Sequence, residues 1–134
     1  VSLSKVDIME LFLVEGSEHA RDLELSLSLL DGKPSQTVFN DMHVHAHTIK
    51  GAAAMVGFMN TSHVSRFLER VLYELVQEKL PFDNDVKVFI VEATGIVHKF
   101  IRNITVGELN EAIILKDIAG KYDRIISKLE VQNA

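Results

Sequence analysis

Residues 84–104, NDVKVFIVEATGIVHKFIRNI, place Val86, Ile90, Ala93, Val97, Phe100 and Ile104 at successive spacings of 4, 3, 4, 3 and 4. An α-helix turns once in about 3.6 residues, so this alternation lays all six side chains on one stripe. Such a stripe is the seam of a helix lying nearly parallel to its neighbours. Taken alone, VKVFIV (86–91) reads as a strand, and only the longer window decides for helix.

The same period recurs on both sides. Between the polar punctuations DGKPSQ (31–36) and KLPFDND (79–85), which hold both prolines, no segment shows the strict alternation of a half-buried strand. A first helix is expected over 5–31, capped by Ser4 and stopped near Gly32, with Ile8, Leu11, Phe12, Leu23, Leu27 and Leu30 inward. A second, over 35–57, turns Val38, Met42, Ile49, Ala53 and Val56 to the core. A third, over 61–79, buries Val64, Phe67, Leu68, Val71, Leu72 and Leu75. The fourth, over 84–105, starts after Asp83 or Asn84 and ends before Gly107. The fifth, over 108–130, presents Leu109, Ile113, Ile118, Tyr122, Ile125, Ile126 and Leu129. Long helices joined by short loops pack as an all-α, antiparallel up-and-down bundle. No internal repeat or low-complexity tract divides the chain, so residues 1–134 are expected to form one domain.

Bulk properties bound the function. An apolar content of 47% excludes disorder, and 134 residues suffice for a single core. A net charge of −5 argues against nucleic acid as the main partner, because phosphate-binding surfaces carry a basic excess. The absence of cysteine removes disulfides, thiolate zinc sites and cysteine nucleophiles. No apolar run approaches the roughly 20 residues needed to span a bilayer, and VSLSKVDIMELF is not built like a signal peptide. A cytoplasmic, monomeric domain is expected, and the start at Val1 reads as that of a piece of a longer chain.

Chemistry concentrates in MHVHAHTIKGAAAMVGF (42–58), with histidines at 43, 45 and 47. On a strand all three would face one way and suit a metal. On a helix each step of two turns the side chain by about 200°. His45, three residues after Met42 and four before Ile49, then lies at the edge of the apolar stripe, while His43 and His47 face water. Lys50 and Ala54 share the His47 face, and Gly51 lies one turn on. Glycine inside a helix costs about 1 kcal/mol relative to alanine. Gly51 therefore serves either a close helix neighbour or something outside that must reach His47, and Gly57 carries the same two readings. A histidine beside a lysine on a cleared patch suits a group that receives and hands over an anion. A helical metal site using His43 and His47 at i,i+4 is the alternative, though no further ligands stand in a recognisable pattern.

His47-Thr48-Ile49-Lys50-Gly51, followed by Gly57-Phe58, resembles the phosphoacceptor signature of histidine phosphotransfer (Hpt) domains, in particular the N-terminal domain of CheA-type chemotaxis histidine kinases. FLVEGSEHARDLELSLSLL (12–30) resembles that family's opening helix. HVSRFLERVLYEL (63–75) resembles the helix whose Leu-Glu pair stands beside the active histidine, which makes the glutamate Glu69. The resemblance implies a four-helix Hpt core with an added fifth helix. It also implies that His47 takes phosphate on Nε2 and passes it to a receiver aspartate. Glu69 would hold Nδ1–H, Lys50 would steady phosphoryl oxygens, and Gly51, Ala54 and Gly57 would let partners approach. The implied partners are the catalytic domain of a histidine kinase and a response-regulator receiver, and no cofactor is called for. With no nucleotide-binding loop in the chain, the domain would be a carrier, and kinase activity would belong to other domains. A free-standing shuttle between two receivers, or a bundle serving only interactions, are the other readings. One departure stands out: many CheA-type domains carry a second histidine where this chain has Arg66, which can flank the phosphoryl group or pair with Glu69. His43 is expected to be solvated, or to flank the phosphate.

Overall fold

The computed structural model describes residues 4–132. Five α-helices run through them: α1 (Lys5–Ser26), α2 (Gln36–Met55), α3 (Met59–Val76), α4 (Asn84–Val106) and α5 (Glu111–Gln132). A 3₁₀ turn, Leu27–Leu30, follows α1, and there is no strand among the described residues. Helices α1 to α4 close a ring in which α2 packs on α1 and α3, and α4 on α3 and α1. Helix α5 lies outside that ring against α3 and α4.

Local chemistry sets the ends. Ser4 caps α1 in a reciprocal box with Asp7, Ser35 caps α2, and Asp83 caps α4 by accepting from the Val86 N–H. Helix α1 stops at Ser26 rather than near residue 31. There the Ser26 and Ser28 hydroxyls donate to the carbonyls of Asp22 and Leu25, and the Leu27 N–H reaches Glu24, so the winding tightens. Helix α2 ends two residues short of its expected limit in a Schellman turn. Gly57 takes φ +86°, its N–H donates to Ala54, and that of Phe58 to Ala53. This lets α3 begin at Met59 instead of residue 61. Helix α3 ends the same way three residues early, with Glu78 at φ +57° and the Lys79 N–H on the Glu74 carbonyl. Helix α5 starts at Glu111 rather than 108, because Asn103 accepts from the Leu109 N–H and Glu111 is held by Asn60 and Asn103.

All six α3 positions expected inward are buried, as are Val86, Ile90, Ala93, Val97 and Phe100 of α4. Four expectations fail. Ile8 and Leu11 are 39% and 49% exposed, since the first two turns of α1 have no helix over them, and Leu109 and Ile113 are exposed at the α4–α5 junction. No helix among the described residues is long and apolar enough to cross a membrane.

Candidate functional site

Helices α2 and α3, joined by the tight turn at Gly57, run antiparallel, and the Ser62 hydroxyl donates to the Lys50 carbonyl at 3.0 Å, fixing their register. That register brings His47 opposite Glu69. His47 Nδ1 lies 2.6 Å from Glu69 Oε1, and Lys50 Nζ lies 2.6 Å from Oε2. Both oxygens of one carboxylate are thus taken by side chains one turn apart on α2. The histidine is 63% exposed and the glutamate 15%.

Burial by itself would raise the Glu69 pKa. The hydrogen bonds from Lys50 and His47, with the charges of both, outweigh it and hold the group below the ordinary glutamate value. An ionised carboxylate only accepts, so Nδ1 must carry the proton, and the Nε2 lone pair of His47 is left to face solvent.

His43 is more enclosed than the helical wheel suggests, at 24% side-chain exposure. Its ring lies nearly parallel to that of His47 at 6.4 Å and tilts against Tyr73 at 5.9 Å. Its Nε2 is 3.9 Å from Glu69 Oε1, too far for a hydrogen bond. Burial lowers its pKa, the charges of His47 and Lys50 add to that, and Glu69 opposes without reversing it. Arg66 is exposed and does not pair with Glu69; its guanidinium lies 4.9 Å above the Phe67 ring. His43, His47, Arg66, Glu69, Arg70, Tyr73 and Tyr122 line one groove.

Gly51 and Ala54 are exposed, and a Cβ built on Gly51 meets open space within 4 Å, so no helix neighbour requires that glycine. Gly57 takes the left-handed backbone angle that favours glycine, and a Cβ built on it also meets open space. His45 sits at the core edge as expected, with Nδ1 2.9 Å from His19 Nδ1 and Nε2 4.0 Å from Asp22, on the opposite side of α2 from His47. Among the described residues no group of three or more histidines and carboxylates is placed to hold a metal ion; His43 and His47 flank a single carboxylate instead.

Three features come forward only in the fold. Tyr122 reaches the groove from α5, which tertiary packing alone reveals. Arg70 lines the groove too, although its 3.1 Å bond to Glu74 is the kind of i,i+4 pair that spacing can suggest. The His19–His45 pair joins positions 26 residues apart with no pattern between them.

A family model described as Hpt domain matches residues 7–93, from the first turn of α1 into the middle of α4. Chemotaxis protein CheA of Listeria monocytogenes is 27% identical over 114 residues, covering 84% of this chain and 18% of that protein. The CheA of Bacillus subtilis is 24% identical over 132 residues, 94% of this chain and 20% of that protein. The CheA of Halobacterium salinarum is 31% identical over 80 residues, 59% of this chain and 12% of that protein. The chain therefore spans about a fifth or less of the length of these relatives.

Proposed function

The chain belongs to the Hpt domain family, with a phosphotransfer role in two-component signalling, and from that premise we propose that His47 is its phosphoacceptor. One observation carries the reading: Glu69, pinned by Lys50, holds Nδ1 of an exposed histidine and leaves Nε2 free. The nucleophile is the neutral imidazole. Its Nε2 lone pair attacks the γ-phosphorus of ATP held by a kinase catalytic domain, the Nε2–P bond forms, and the bond from phosphorus to the β–γ bridging oxygen breaks as ADP leaves. The Nδ1 proton never moves, so the ring becomes a phosphorylated imidazolium whose new positive charge lies against Glu69. In onward transfer a receiver aspartate attacks phosphorus, the Nε2–P bond breaks, and neutral imidazole departs with its proton still on Nδ1. Glu69 stabilises the charged stage common to both steps, which is electrostatic preorganisation rather than proton transfer. Lys50 orients Glu69 and, with His47, holds its pKa below the ordinary glutamate value.

The patch of Gly51 and Ala54 leaves room for two successive partners, a histidine kinase catalytic domain and a response-regulator receiver, to reach one atom. Similarity to CheA proteins of three organisms supports placing this domain at the N-terminal end of a CheA-like kinase. We read residues 1–134 as one such domain because α5 packs on α3 and α4. The test is labelling by a CheA-type catalytic domain with radiolabelled ATP. The parent takes label in acid-labile, base-stable form, and a folded His47→Gln variant takes none; undiminished labelling of that variant refutes the assignment.

A further inference from the structure

We propose that Arg66 binds the oxygens of the phosphoryl group carried by His47, a role that rests on the reading of His47 as acceptor. The charge inventory of the groove leads there. A phosphoryl group brings about −1.5 to −2 of charge to a site that already holds an ionised carboxylate. Three cations stand nearby. Lys50 is engaged by Glu69 at 2.6 Å, and moving it to the phosphoryl group would strip Glu69 of one of the two side-chain hydrogen bonds that orient its carboxylate and hold its pKa down. Arg70 is committed to Glu74, a buried carboxylate that needs its partner. Arg66 alone of the three has no carboxylate within ion-pair distance among the described residues.

Its position fits the role. The Ser62–Lys50 bond sets the register of the two antiparallel helices, so residue 66, one turn beyond Ser62, lies level with residues 46–47, one turn before Lys50. Arg66 and His47 line the same groove. The guanidinium rests over Phe67 in an exposed cation–π contact, a weak hold that a charged ligand displaces. Its planar donors match two phosphoryl oxygens at once. The division of labour is then Lys50 on Glu69, Glu69 on Nδ1, and Arg66 on the phosphoryl oxygens.

Phosphoramidate, a small donor that needs no kinase, tests this on the whole chain. Its P–N bond breaks, ammonia leaves, the Nε2–P bond forms on His47, and the Nδ1 proton stays. Labelling is followed by intact mass and the product by phosphorus-31 NMR. Arg66→Gln should slow labelling about 10–100-fold and shift the phosphohistidine resonance. Arg66→Lys should recover part of the rate, and the melting temperature of both should stay with the parent. Lys50→Met should slow labelling through Glu69 while leaving the resonance near its parental position. Equal rates and resonances in the parent and Arg66→Gln overturn the Arg66 role while the acceptor assignment stands, as does a resonance that moves with Lys50→Met and not with Arg66→Gln. Absence of phosphate on His47 in the parent, with phosphoramidate and with a CheA-type catalytic domain and ATP alike, overturns both.

Discussion

Glu69 faces two nitrogens with two oxygens, and each bond does a different thing. Lys50 fixes the carboxylate and helps to lower its pKa, and the carboxylate's charge holds the proton on His47 Nδ1. Glu69→Gln keeps an amide oxygen for Nδ1–H but turns an amide N–H₂ toward the Lys50 ammonium and removes the charge opposite the developing imidazolium. Labelling of His47 by a kinase catalytic domain should fall about 100-fold in single-turnover assays, with far-UV circular dichroism unchanged; a parental rate would show that charge at Glu69 is dispensable. The neighbouring His43 gives a pH signature. Its folded-state pKa lies below its ordinary 6.5 because burial favours the neutral ring. Its contribution to stability is therefore fully present above 6.5 and is lost as pH falls through the lower folded-state value. Glu69, also depressed, adds a second loss on the acid side of its ordinary 4.5. Urea midpoints taken between pH 7.5 and about 5 should decline in the parent and decline less in His43→Gln. An identical slope in the two would place the titrating group elsewhere.

At the scale of helices, two positions break local rules. Glu78 ends α3 at φ +57°, where glycine sits without a Cβ penalty. Glu78→Gly should raise the unfolding free energy by about 0.5–1 kcal/mol, read as a higher urea midpoint at constant slope. Thr94, 1% exposed on α4, has a hydroxyl with no hydrogen-bond partner among the described residues. Thr94→Val keeps the shape and removes the desolvated oxygen, and should add about 1 kcal/mol; a lower melting temperature would mean that the hydroxyl is satisfied in solution. The α4 seam that decides the fold survives into the structure because a periodic stripe and its burial report the same geometry. The misses share a cause. Ile8 and Leu11 sit on the right stripe of α1 but lie past the end of what covers it, and periodicity carries no information on where a neighbour stops. The terminus at Glu78 was illegible because nothing in its side chain announces the left-handed angle that it takes. At the site, the facing of His47 followed from the helix, and its pairing with Glu69 from family resemblance. The engagement of Lys50 by Glu69 depends on rotamers and register that no spacing encodes.

On the scale of the molecule, the chemistry and the stability lie in different places. The proposed acceptor His47, its carboxylate and the lysine belong to the α2–α3 hairpin, two of the four helices of the closed ring. Helix α5 stands outside that ring, and the family match ends before it begins. Its buried side chains nevertheless complete the core: Ile118 is fully buried, Ile125 nearly so, and Tyr122 stacks on Phe67 at 4.5 Å. Helix α5 thus supports α3 through its buried side chains, and only through Tyr122, among the described residues, does it line the groove that Glu69 shares. Truncating a side chain of α5 that lies away from the groove should separate the two functions. Ile118→Ala takes away only buried carbon and should destabilise the domain by about 2–4 kcal/mol, visible as a lower melting temperature and urea midpoint. Well below that melting temperature, labelling of His47 should stay within about threefold of the parent, less than 1 kcal/mol in the barrier. A folded Ile118→Ala protein that no longer takes phosphate would show instead that α5 sets the position of Glu69, and would make the fifth helix part of the acceptor machinery.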